Sequence, residues 1–88
     1  MTTAYTLTPD WTATNRFDVA EASTLLLNNT CAFDIHWART PSTAPPGNAP
    51  LASALLRPGD SIRVLLAPGD SLWMAAHSGG TAVIDQFI

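Results

Sequence analysis

The sequence predicts a small all-β protein: an antiparallel, jelly-roll-like β-sandwich of about seven or eight short strands. Three observations carry this. Leu55-Leu56-Arg57-Pro58-Gly59-Asp60-Ser61 recurs ten residues later as Leu65-Leu66-Ala67-Pro68-Gly69-Asp70-Ser71. Between and after these repeats, apolar and polar residues alternate with the period of a strand. The spacing between turns is too short to hold a helix.

Each repeat is a turn signal. Proline presets φ near −65°, and glycine accepts the positive φ that other residues resist, so Pro58-Gly59 and Pro68-Gly69 suit the central positions of type II turns. Asp60 and Asp70 follow, and their carboxylates can bond the freed turn amides. Pro58, Gly59, Asp60, Pro68, Gly69 and Asp70 are therefore assigned structural roles. Downstream of each turn, Ile62, Val64 and Leu66 share one strand face, as do Leu72, Met74 and Ala76. His77-Ser78-Gly79-Gly80 is the next turn, and Thr81 to Phe87 is a final strand. Its two faces carry Ala82 and Ile84 against Val83 and Phe87, so both are expected to be covered.

Upstream, Cys31, Phe33, Ile35 and Trp37 alternate with Ala32, Asp34, His36 and Ala38, predicting a strand over residues 31–38. Asn28-Asn29-Thr30 reads as the turn joining it to a hairpin partner over Thr24 to Leu27. Residues 40–50 contain Pro41, Pro45, Pro46, Gly47 and Pro50, which remove backbone donors and favour extended geometry, so this is a surface loop. Phe17 to Ala22 fits either one helical turn or a strand. The chain divides into a sandwich over residues 24–88 and a segment over 1–23. That first segment, with Tyr5, Leu7 and Trp11, forms either short edge strands or an extended arm.

Composition narrows the function. The 88 residues suffice for one domain. Charged residues are 12% of the chain and hydrophobic ones 47%, where about 25% charge is ordinary. So little charge leaves apolar residues facing outward, and contiguous exposed apolar surface marks partner contacts. The net charge is −3, with four arginines and no lysine. Arg16, Arg39, Arg57 and Arg63 are scattered, which disfavours nucleic acid and an anionic membrane surface as partners. Cys31 is the single cysteine, so no intrachain disulfide is expected. The opening residues lack the pattern of a signal peptide, and no apolar run approaches the ~20 residues that span a bilayer. A soluble chain made in the cytoplasm is expected.

Each candidate site has a plainer explanation. Gly69-Asp70-Ser71-Leu72 spells the motif of a family of serine esterases. That family places its serine early in a much larger α/β domain and supplies an Asp-x-x-His pair near the end, whereas Asp85 here is followed by Gln86-Phe87-Ile88. The repeat explains the tetrapeptide as a turn, and no catalytic residue is assigned. His36 with Asp34 offers part of a metal site, but a transition metal wants three or four ligands. A solvated polar face is the better account, and neither metal nor cofactor is expected. Trp11, Trp37 and Trp73 raise a sugar-stacking platform, for which core or subunit packing is the stronger alternative. Tyr5, Leu7, Trp11, Trp73 and Phe87 are the candidate partner contacts.

The order of elements resembles small β-sandwich structural proteins of tailed bacteriophages. The apolar strand ending in Asn28-Asn29-Thr30, the aromatic-rich segment Cys31 to Trp37 and the Pro/Ala/Gly loop Thr40 to Pro50 carry the likeness. So do the turn Leu66 to Ser71, Leu72-Trp73, the turn Ser78 to Gly80, and the terminal strand Thr81 to Ile88. The resemblance implies a virion structural protein assembled in the host cytoplasm. Within that class it points to a capsid decoration (cement) protein, a homotrimer that bridges major capsid protein subunits. A tail, fibre or head-spike module that binds host surface carbohydrate is the alternative.

Overall fold

A computed structural model describes residues 2–87 and is all-β, with two antiparallel four-stranded sheets packed face to face. The strands are β1 (Thr2–Thr6), β2 (Arg16–Asp18), β3 (Ser23–Asn29), β4 (Ile35–Thr40), β5 (Ala54–Leu56), β6 (Ser61–Leu66), β7 (Ser71–Ala76) and β8 (Thr81–Gln86). Ile88, counted above with the terminal strand, lies outside the described residues. Sheet A has the order β1-β8-β3-β6 and sheet B the order β2-β7-β4-β5.

The winding is that of a jelly roll. Strands β1 and β8, β2 and β7, β3 and β6, and β4 and β5 pair in turn. The chain is thus one long hairpin closed between β4 and β5. Rolling it up adds the pairs β3·β8 and β4·β7. Such a roll buries one face of every strand in a shared core and leaves β1, β6, β2 and β5 as the sheet edges.

Alternation fills that core as the sequence predicts. Leu25 and Leu27 of β3, Val64 and Leu66 of β6, and Ala82 and Ile84 of β8 point inward from sheet A. Phe17, Ile35, Leu72, Met74 and Ala76 meet them from sheet B.

Both Pro-Gly turns form as expected. Gly59 has φ +81° and Gly69 +86°. The closing bonds run from Asp60 N to Arg57 O at 3.1 Å and from Asp70 N to Ala67 O at 3.0 Å. Asp70 also accepts the Ala67 N–H on its carboxylate at 2.9 Å. A type II turn frees its glycine N–H, and the repeat uses both in the same way. Gly59 N donates to Asn29 O at 3.1 Å, and Gly69 N donates to Val19 O at 2.9 Å. Each turn therefore docks a neighbouring crossover. Gly59→Val and Gly69→Val are each expected to cost about 1–3 kcal/mol, since a β-branched residue is strained at positive φ. Gly47→Ala, at a loop position with open space around it and no positive φ, should leave the denaturation midpoint unchanged.

Several expectations need correction. Strand β3 continues through Asn28 and Asn29, and it is no hairpin partner of β4, because the two lie in opposite sheets. Residues 31–33 are a bend, and β4 begins only at Ile35. The apparent alternation there is overridden by the Asn29 side chain, which draws the following backbone into a loop. Of the two alternatives for the segment 1–23, its described residues form short edge strands and not an extended arm. Its strands β1 and β2 are the edges of the two sheets, and Leu7, 1% exposed, belongs to the core.

The outer faces of the two sheets differ. On sheet B, Trp73 and Ala75 point outward yet are 2% and 0% exposed, because the long β4–β5 connection folds back over them. Arg16 Nη1 donates to Thr43 O at 3.3 Å and Trp11 Nε1 to Asn48 O at 2.8 Å, holding that connection in place. The short 3-10 turn Pro50–Ala52 closes against β4 and β7. Sheet A has no such cover among the described residues.

Candidate functional site

Strand direction places the β5–β6 and β7–β8 turns at one end of the sandwich, which we term the cleft end. The β6–β7 turn and residues 19–22 lie at the other end. There, Ser71 is fully buried, and its Oγ donates to Asp18 Oδ1 at 2.6 Å. Arg16 Nε donates to the same oxygen at 2.8 Å and its guanidinium stacks over Trp73, 5.4 Å from the ring centroid. Partial burial of Asp18 would raise its pKa, but the bonds from Ser71 and Arg16 and the Arg16 charge outweigh it, leaving the carboxyl below its usual range. Burial and the nearby Asp18 charge push Tyr5 up. The Gly69-Asp70-Ser71-Leu72 serine thus serves a structural bond to a strand-edge carboxylate.

A depressed carboxylate contributes stability above its unfolded pKa and loses it as pH falls through the folded value. Acid unfolding of the wild type should therefore have a component that Asp18→Asn lacks. It will be small, since Asp18 is largely exposed. The check is a pair of denaturation curves at neutral and acid pH.

At the cleft end, four connections surround a cavity of about 680 Å³. Asp10 comes from the β1–β2 connection, Phe33 and Asp34 from β3–β4, Leu51 from the β4–β5 connection, and His77 from the β7–β8 turn. His36, on β4, also lines it. The Phe33 and His77 rings lie 4.7 Å apart at 30°. His77 Nδ1 faces Ser78 O at 3.1 Å. A carbonyl can only accept, so Nδ1 carries the proton, and in the neutral ring Nε2 is left as an acceptor. His36 Nδ1 is buried without a hydrogen-bond partner.

The walls are fixed by the fold. Leu7 N donates to Gly80 O at 2.7 Å and Ala76 N to Thr8 O at 2.9 Å, tying the β1–β2 connection to the β7–β8 turn. Asn29, 4% exposed, makes all four bonds an amide can make. Its Oδ1 accepts Cys31 N–H at 3.0 Å and Cys31 Sγ–H at 3.2 Å. Its Nδ2 donates to Phe33 O at 2.7 Å and to Leu56 O at 3.0 Å.

The residues singled out in the sequence do not converge here. Pro58, Gly59 and Asp60 build a turn at the cleft end and Pro68, Gly69 and Asp70 one at the far end, without lining the cavity. Leu7 and Trp73 are buried, so neither presents a surface to a partner or a sugar. Trp11 is half-buried beside Asn48 and Tyr5 packs against the core, while Phe87 is 55% exposed. The sequence had paired Asp34 with His36, and both line the cleft, as does His77. No group of three or more His, Cys, Asp or Glu side chains among the described residues is placed to hold a metal ion. Asp10 and Leu51 carried no signal, since only the rolled topology brings their loops together.

On the outer face of sheet A, Ala4, Leu26, Leu65 and Val83 stand among Thr2, Thr24, Asn28, Ser61, Arg63 and Asp85. Phe87 continues the same alternation, its N–H donating to Thr24 O at 2.8 Å, across β3 from Leu65. Leu65 is 62% exposed. Comparison with models of known protein families, with curated proteins and with solved structures returned no match.

Proposed function

We propose that the protein is a virion structural component, a capsid decoration protein that acts as a homotrimer and bridges major capsid protein subunits. The observation that carries this is the outer face of sheet A, where exposed Leu65 and Phe87 and half-buried Leu26 and Val83 stand among polar residues with no other part of the described chain over them. Arg63 and Asp85 flank Leu26 across the strands and give the face register as well as stickiness. Burying such a face contributes about 25 cal/mol per Å² before association costs. Its repetition around a shell axis would stabilise joints between capsomers. The resemblance of the strand and turn order to phage structural proteins supports the same reading.

The test is the protein content of purified virions, with the double variant Leu65→Ser, Phe87→Ser as comparison. The wild type should co-sediment with intact capsids in a fixed ratio to the major capsid protein and run as a trimer in analytical ultracentrifugation. The variant should fold normally, because both side chains are exposed, yet be depleted from the particles. Absence of the wild type from virions, or full retention of the variant, overturns the proposal.

A further inference from the structure

We propose that the cleft between Asp10, Phe33, Asp34, His36, Leu51 and His77 is a binding site for a neutral saccharide residue. The inference is independent of the sheet A face, which lies on the other side of the sandwich.

Charge sets the class of ligand first. None of the four arginines lines the cleft, and the chain has no lysine. Two carboxylates do, so anions are repelled. The acceptors also come from separate parts of the chain. Asp10 and Asp34 come from different connections, and no three ligating side chains gather at one point among the described residues. That arrangement suits several hydroxyl groups spread around a ring better than one compact cation. Each carboxylate accepts a hydroxyl hydrogen in a charge-assisted bond, and the His77 ring is a further polar group of the lining.

The apolar lining completes the match. A pyranose has a C–H face as well as hydroxyls, and it needs a flat apolar surface next to the acceptors. Phe33 is 40% exposed and Leu51 85% exposed at this site, so apolar surface is available beside the carboxylates. The volume of about 680 Å³ falls within the ~300–1,000 Å³ usual for small-ligand sites. The hydrogen bonds through Asn29, Gly80 and Thr8 hold the walls in place before any ligand arrives, which lowers the ordering cost of binding.

The experiment is a ¹H–¹⁵N correlation NMR titration of the full chain with glucose, galactose, mannose, rhamnose and N-acetylglucosamine. Each is taken to about 50 mM, enough to register millimolar affinity. At least one sugar should shift the amides of Phe33, Asp34, His36 and His77 together and saturably. Phe33→Ala and Asp34→Asn, both at exposed positions, should each weaken that binding about tenfold. The Leu65→Ser, Phe87→Ser variant should bind as the wild type does, so this result stands apart from that of the capsid test. The proposal fails if no sugar shifts these amides, or if the shifts lie elsewhere. It also fails if both cleft variants bind unchanged, or if tetramethylammonium chloride perturbs the cleft while the sugars do not.

Discussion

Deleting residues 1–7 is expected to leave no stably folded protein. Strand β1 is the edge of sheet A, paired with β8 from Thr2 opposite Asp85 to Thr6 opposite Thr81. Leu7, which follows it, is 1% exposed in the core, and its N–H donates to Gly80 O. Truncating one such leucine to alanine costs about 2–5 kcal/mol. A domain has only about 5–15 kcal/mol in total, and a short chain sits toward the lower end. Removal of the strand also strips Tyr5 from the core margin and exposes the β8 ladder, an edge that invites aggregation. The deletion should therefore abolish the cooperative thermal transition. The milder Leu7→Ala should lower the midpoint by roughly 10 °C or more, at about 4–8 °C per kcal/mol for a domain this size. An unchanged midpoint in the deleted chain would restore the arm that the sequence allowed.

That arm illustrates what the sequence could and could not disclose. The two Pro-Gly turns, the strands after them and their inward residues were legible because the information is local. A positive φ needs glycine, and a half-buried strand needs alternation. The pairing of β1 with β8 joins the two ends of the chain, and no short-range pattern encodes it. Trp73 lies on the outer side of its strand as alternation required, but only the folded-back β4–β5 connection explains why it is buried. The cleft was less legible still. Asp34 and His36 were visible as a pair on one segment. Asp10 and His77 reach them because the rolled hairpin brings their connections to the same end of the sandwich, and Leu51 because the β4–β5 connection, which leaves β4 at the other end, folds back over sheet B.

The Asn29→Asp variant should be strongly destabilised by an exchange of one heavy atom. The substitution keeps the shape of the side chain but replaces Nδ2, which donates to Phe33 O and Leu56 O, with a carboxylate oxygen. Two carbonyls then face an acceptor, at a residue that is 4% exposed. A buried uncompensated charge of this kind costs about 3–5 kcal/mol. Asn29→Ala leaves the same two carbonyls without their donor but adds no charge, so it should cost less than Asn29→Asp. Acid distinguishes the two. The new carboxyl has a folded pKa raised above its unfolded value by burial and by the facing carbonyls. Its protonated form supplies one O–H for one of the two carbonyls, so the penalty is greatest at neutral pH and shrinks as the group protonates. Asn29→Asp should therefore lie well below Asn29→Ala in urea midpoint at about pH 7, with the gap narrowing near pH 4. Because Asn29 also pins Phe33, hydrogen exchange should quicken over residues 31–34 in both variants. Equal midpoints for the two variants at neutral pH, or a gap that widens in acid, would mean that Asn29 does not donate to these carbonyls.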